Sequence, residues 1–308
     1  MDKFTVCLSG LLYPLAMLDY FWEAFEQRED VNLFVLGPFF DDWTPWGGQG
    51  GMRLPKKYVK HPNLALPQQT AQMHLHPQMV IDKLPKNIDL FIQCDAGWRF
   101  SARPPGKFVV HIQTDPHVLK TQYKLPKSYS DISYSMQNCY REDDESFLPY
   151  AFSPRIHYHQ EMDKEYDACL IGLLYDHRAK LIQQLRQRGH KVYYNLGDIY
   201  DLYRIRYNQS KVALSWSSLL DLPCRVWEGF AMQLPVVTNR VPDLKLWFID
   251  GEDYLGFDTL DEGIAQTEYF LEHPAFAKMI ASNAYEKVKD EHTWDKRVET
   301  ILKDVGLL

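Results

Sequence analysis

The feature that most constrains the fold is an alternation that runs through the chain twice. Short apolar runs ending at turn residues recur at 4–9, 32–37, 89–93, 107–112 and 131–136, with helical spacing across 15–28 between the first two. Continuous apolar runs of this length suit strands buried on both faces of a parallel sheet. A polar, proline-bearing stretch, 149–166, interrupts the pattern, and then it restarts. Strands are expected at 167–172, 191–195, 211–216 and 235–238. Helices are expected at 177–188, 199–210 and 222–232, and three more helical stretches close the chain, the last from about residue 293. Two βαβ series in succession imply an α/β protein of two doubly wound, Rossmann-like domains, 1–152 and 153–308, with the last helix, about 293–308, crossing back to the first. Ligands of such sheets bind beyond the carboxyl ends of the strands, and a central cleft faced by both domains is the expected site. The stretch 39–67 is rich in Pro, Gly and aromatic residues, has no sustained period, and reads as a long loop.

Composition enters where it excludes. No run reaches the ~18 uninterrupted apolar residues of a membrane span. The apolar stretch 4–18 is broken at Ser9–Gly10 and Pro14 and has no basic flank, so it reads as a strand and its loop, not a signal peptide. The cysteines Cys7, Cys94, Cys139, Cys169 and Cys224 are odd in number and widely spaced, as reduced thiols would be. They point to the cytoplasm, or to a host's cytoplasm if the chain is viral. His74 with His76, and His157 with His159, have no third ligand nearby, so no protein-bound metal is expected.

Charge is unevenly spread. Residues 53–127 carry twelve Lys and Arg against Asp82, Asp89, Asp95 and Asp115, or +8 in a chain of net −7, which leaves −15 elsewhere. A solvated lysine-rich surface would produce this, and so would a polyanion-binding face.

The densest chemistry lies in 221–238. Arg225 and Glu228, three residues apart, share one face at the start of a helix. There a guanidinium can fork onto a diphosphate and a carboxylate can accept from both ribose hydroxyls. An exposed ion pair would have the same spacing. Upstream, the strand 167–172 runs into Gly172 and then a helix bearing Arg178, a turn that lets phosphates approach the backbone. In the first half, Asp95 and Asp115 stand at strand ends, and His111 lies in a strand; each is a candidate base for an acceptor hydroxyl. Trp43 and Trp46 beside Gly47, Gly48, Gly50 and Gly51 suit a lid over a planar ligand.

From residue 166 onward the motifs keep the order seen in the CgeB-like and family-4-like glycosyltransferases of the GT-B fold, which this half resembles. The matching pieces are Cys169-Leu-Ile-Gly172 with Arg178, Lys211-Val-Ala-Leu-Ser215, Arg225-Val-Trp-Glu228 through Thr238, and His292-Thr-Trp-Asp-Lys-Arg297. The resemblance implies a nucleotide-sugar co-substrate of the UDP-glucose type and no tightly bound cofactor. It implies that Gly172, Tyr175, Arg178, Asn195, Ser217, Arg225 and Glu228 hold the donor. The family's paired-glutamate motif is incomplete here, with Leu220 and Asp221 where its first member would stand. The N-terminal half matches through Asp115-Pro116 and Phe147-Leu-Pro149, and in GT-B enzymes that half binds the acceptor. Gly10, Trp43, Trp46, Gly48, Arg53, Trp98 and Arg99 are the residues expected there. Double-stranded DNA carrying a hydroxylated base, the acceptor of bacteriophage DNA glucosyltransferases, would use the basic segment 53–127. A protein, glycan or small metabolite as acceptor stays open, as does a non-catalytic nucleotide-sugar-binding module.

Overall fold

A computed structural model describes residues 3–45, 51–95 and 97–308. The chain divides into two compact units, one running to Pro149 and taking up Arg297–Leu308, the other Tyr150–Lys296.

The first unit is built from β1 (Phe4–Ser9), β2 (Val31–Pro38), β3 (Trp43–Thr44), β4 (Met52–Arg53), β5 (Leu64–Leu66), β6 (Leu90–Cys94), β7 (Phe108–Gln113), β8 (Ile132–Ser135) and β9 (Ser146–Phe147). Seven of these form one sheet in the order β5-β2-β1-β6-β7-β8-β9, and every pairing in it is parallel. Helix α1 (Met17–Glu26) buries Leu18, Phe21, Trp22 and Phe25, a stripe at helical spacing. Cys7, Phe91 and Val109 meet Trp98 and Phe100 in one core on the sheet's face. Strand order reverses between β1 and β6, the topological switch point of the sheet.

The region 39–67 is not a featureless loop. It holds the β3–β4 hairpin and β5, which joins the sheet edge beside β2. Each is too short for a period to register. Helix α2 (Pro116–Tyr129) is a further element that the sequence does not announce: Pro126 lies inside it, Leu119 departs from helical geometry, and only Pro116, Tyr123 and Pro126 of it are buried.

The second unit contains β10 (Tyr166–Ile171), α3 (Asp176–Gln187), β11 (Val192–Asn195), α4 (Tyr200–Asn208), β12 (Ser210–Ser215), α5 (Cys224–Ala231), β13 (Val236–Asn239), β14 (Leu255–Phe257), α6 (Leu260–Glu272) and α7 (Pro274–Val288). Its sheet is parallel throughout in the order β11-β10-β12-β13-β14. That is the 2-1-3-4-5 order of doubly wound proteins, with the switch point between β10 and β12. Leu170, Val212, Leu214 and Val237 pack under Leu181, Ile182 and Leu185 of α3. The closing helix α8 (Trp294–Asp304) is tied into the first unit from Arg297 on. Arg297 Nε donates to Pro149 O at 2.7 Å and Tyr134 Oη to Asp304 at 2.6 Å. No helix among the described residues is long and apolar enough to cross a membrane.

Candidate functional site

The residues that carry chemistry in the second unit converge on the β10–β12 switch point. β10 ends at Ile171, and Gly172 follows with φ +136°. A Cβ on Gly172 would lie 2.3 Å from Arg225 Nη2, so the position is glycine because a guanidinium lies across it. Arg225, in the first turn of α5, donates from Nε to Ile171 O at 2.8 Å, and its Nη1 is buried with no hydrogen-bond partner. Arg178, in the first turn of α3, donates from Nε to Trp216 O at 2.6 Å and from Nη1 to Leu173 O at 2.7 Å. Two guanidiniums thus grip the carbonyls on either side of Gly172.

Their electrostatics are strained. Burial, and then Arg225, push the Arg178 pKa down. For Arg225 burial also opposes the charge, but Tyr207, Tyr203, Glu228 and Asp221 outweigh it and the pKa is raised. Guanidiniums stay charged near neutrality. Two like charges therefore share a poorly solvated site at the amino ends of two helices, the arrangement that an anion relieves. Tyr175 stands beside them, with the Arg178 guanidinium 4.9 Å from its ring centroid and His177 stacked on it at an interplanar angle of 16°.

Glu228 shares the helix face of Arg225 but sits deeper. It is 5% exposed; its Oε2 accepts from Tyr203 Oη at 2.5 Å and its Oε1 lies 3.5 Å from His157 Nε2. The carboxylate expected on a ribose is thus already held from below by Tyr203 and His157. Asn195 takes the N–H groups of Leu196 and Gly197 on Oδ1, and its backbone carbonyl accepts from Gly172 N. Buried Ser217 is locked to Asn239, its N–H donating to Asn239 Oδ1 at 2.7 Å. These two shape the loops. Trp216 and Tyr203 escaped the sequence analysis, which considered His157 only as a metal ligand. Trp216 alone left a signal, an aromatic at the carboxyl end of an expected strand.

In the first unit, Asp95 and Asp115 come together at the carboxyl ends of β6 and β7. Tyr123 Oη donates to Asp95 Oδ1 at 2.7 Å and accepts from Asp115 N at 3.1 Å. Asp95 has φ +63°, a conformation that costs a non-glycine residue energy and tends to mark functional positions. His111 corrects the expectation of a third base. It is 0% exposed, with Nδ1 3.3 Å from Ser133 Oγ, and no acceptor can reach it. Burial, then Arg99 and Lys127, push its pKa from 6.5 to about 3. The unfolded chain takes up this proton as pH falls through the ordinary histidine range, while the folded one refuses it. The stability contributed is complete above pH 6.5 and drains away toward about pH 3. We expect a slope of ~1.4 kcal/mol per pH unit from this group. Replacement by Leu should flatten the wild-type acid limb by that amount in urea melts between pH 6.5 and 4; superimposable limbs would disprove it.

Trp98 is a second correction. At 1% exposure, packed on Phe100 in the core, it cannot stack on a ligand. Gly10 is needed for packing, since a Cβ there would meet Cys94 O at 2.9 Å. Arg99 lies close enough to His111 and Tyr129 to depress the pKa of the first and oppose the upward shift of the second. Trp43 is 36% exposed and pairs with Arg53, whose guanidinium bridges to Asp42. Trp46 and Gly48 lie outside the described residues.

The basic segment is less open than its count implies. Arg53, Lys60, Arg103, Lys120 and Lys127 are bridged to Asp42, Glu26, Asp131, Glu142 and a carboxylate trio, all outside 53–127. That trio, Glu142, Asp144 and Glu145, has the spacing of a metal site, but Lys127 Nζ sits 2.6, 2.5 and 2.9 Å from its members.

Residues 163–303 match the family described as "Glycosyl transferase-like". No curated protein matches the chain. Among solved structures, Anabaena HepE in complex with UDP and glucose aligns with TM-score 0.67 at 10% identity, over 99% of this chain and 100% of that one. Sucrose-phosphate synthase from Thermosynechococcus elongatus aligns with TM-score 0.61 at 11% identity, over 99% of both chains. A UDP-N-acetylglucosamine 2-epimerase from Listeria monocytogenes aligns with TM-score 0.63 at 9% identity, over 100% of this chain and 98% of that one. Proteins named as a synthase and as an epimerase share the architecture, so these alignments establish two Rossmann-like units of GT-B type and leave chemistry to the site.

Proposed function

We propose that this chain is a glycosyltransferase of GT-B type, as its fold and its matched C-terminal segment support, and that it draws its glycosyl group from a nucleoside-diphosphate sugar held at the β10–β12 switch point. One observation carries the reading. Arg178 and Arg225 are held beside each other, with Asp221 the carboxylate that acts on both, and Arg225 Nη1 is buried and unpartnered. A diphosphate would supply the missing acceptor and neutralise both charges. Tyr175, 37% exposed at the start of α3, offers a ring to a planar base. Glu228 acts from beneath, holding Tyr203 and His157 around the arginine, and touches a ribose only if its carboxylate is released from them.

UDP-glucose is the donor to try first, since HepE was solved with it. Calorimetric titration should give saturable binding that UDP competes away and glucose does not. At 100 times its dissociation constant the ligand should add ~2.7 kcal/mol to stability, visible as a raised melting temperature. A panel of UDP-, GDP-, ADP- and dTDP-sugars without any binding would sink the proposal. Turnover with acceptor separates the enzyme from a binding module.

For the acceptor, the +8 of residues 53–127 favours a polyanion such as DNA with a hydroxylated base. The bridges described above, which occupy at least five of its twelve cations, weaken that argument. A duplex-DNA binding constant falling steeply with salt would support it; absent or salt-independent binding would remove it.

A further inference from the structure

Glu228 stands on the helix face of Arg225, yet its carboxylate is already engaged. Tyr203 Oη donates to Oε2 at 2.5 Å, and His157 Nε2 lies 3.5 Å from Oε1. His157 Nδ1 accepts from Ser153 N at 3.2 Å, which places the proton of the neutral ring on Nε2, facing the carboxylate. Burial, and then Glu228 itself, push the Tyr203 pKa well up, so that hydroxyl keeps its proton and remains a donor. Each oxygen of Glu228 thus meets a proton that the chain supplies.

The arrangement continues beneath the arginine. The ring of Tyr203 packs on Tyr207 at 4.5 Å between centroids and edge-on to His157 at 5.7 Å. Tyr207 Oη accepts from Ile171 N at 3.3 Å, and the carbonyl of the same Ile171 holds Arg225 Nε. Tyr203, Tyr207 and Glu228 all act on the charge of Arg225. These contacts join α4, α5 and the end of β10 in one polar floor, closed through the chain's own groups. A ribose hydroxyl that took Glu228 would have to displace the Tyr203 hydroxyl. It would exchange one hydrogen bond for another and leave a phenol without its acceptor, so the exchange yields no net preference for the hydroxyl.

We infer that Tyr203 sets the donor specificity of this site: by holding Glu228 it leaves the nucleotide's 2′-hydroxyl unread, so that 2′-deoxyribonucleoside diphosphate sugars bind as well as ribonucleoside ones. The inference rests on the donor reading and narrows it, since the diphosphate carries the affinity through Arg178 and Arg225 and the pentose does not. A carboxylate left open for that hydroxyl would behave otherwise. Hydrogen bonds to a charged group are strong, and loss of one costs roughly 10- to 100-fold in affinity.

Calorimetric titration of the full chain with UDP and with 2′-deoxyUDP tests this. Wild type should bind the two with dissociation constants within about 3-fold of each other. Tyr203→Phe keeps the ring against Tyr207 and His157 and removes only the hydroxyl, so Glu228 Oε2 turns to the ribose instead. The ratio of deoxyUDP to UDP dissociation constants should then rise to about 10-fold or more, through tighter UDP and unchanged deoxyUDP. A wild-type preference for UDP of about 10-fold or more would overturn the inference without calling on any variant. So would a ratio that Tyr203→Phe does not raise. Wild type that binds neither nucleotide would strike the donor reading itself, and this inference would fall with it; unequal binding of the two is a distinct result, which spares that reading.

Discussion

Replacing Arg225 with Ala should raise the dissociation constant for UDP-glucose about 100-fold, or ~2.7 kcal/mol, while costing the unliganded protein only ~1–2 kcal/mol. The two halves of that result separate a ligand-binding arginine from a structural one. Arg225 gives the fold one hydrogen bond, to Ile171 O, and that bond has a net worth of ~0.5–1.5 kcal/mol. Against it stands the repulsion with Arg178, whose pKa falls under burial and its neighbour's charge. Removing Arg225 loses that bond and the attraction of Tyr207, Tyr203, Glu228 and Asp221 that raises its pKa, and it relieves the repulsion with Arg178, so a modest net loss remains. A buried arginine serving the fold would behave differently, because truncating one partner of a satisfied buried pair destabilises by several kcal/mol. Lysine at the position keeps the charge but cannot fork, and should fall between wild type and Ala. Calorimetry for the affinity and urea melts for the stability check both. A variant that loses stability and affinity in proportion would show that Arg225 is scaffolding.

What the sequence made legible follows from range. The doubly repeated strand–helix alternation is a local pattern, and both parallel sheets follow from it. So does the meeting of Gly172 and Arg225, because a strand end and a helix start in one sheet's switch region have few other places to be. Depth was not legible. An i, i+3 spacing puts Glu228 on the face of Arg225 but does not say that Tyr203, 25 residues upstream, and His157 close over it. Strand periodicity placed His111 and the family resemblance placed Trp98 near the acceptor, and neither could say that both are buried in the core. Helix α2 was hard to read because a proline, Pro126, lies inside it and Leu119 departs from helical geometry. The basic excess of 53–127 was a correct count of residues and a poor guide to a surface, since the carboxylates that pair with it arrive from Glu26, Asp42, Asp131 and the 142–145 turn.

Gly172→Ala tests the same site from the backbone. The new methyl meets Arg225 Nη2 at 2.3 Å at φ +136°, where an L side chain is already strained. The guanidinium, as the far end of a flexible side chain, is what yields. Alanine should therefore cost ~1–3 kcal/mol of stability from the backbone conformation alone. It should also weaken UDP-glucose binding nearly as much as Arg225→Ala does, with no ligand contact deleted. The double variant decides the cause. With the guanidinium gone the methyl has room, so Gly172→Ala should add almost nothing to the affinity loss of Arg225→Ala. The coupling energy should be about 2 kcal/mol, within the range for residues in direct contact. Additive losses would mean that Gly172 meets the phosphates itself, through its backbone, and that Arg225 holds them from a separate place.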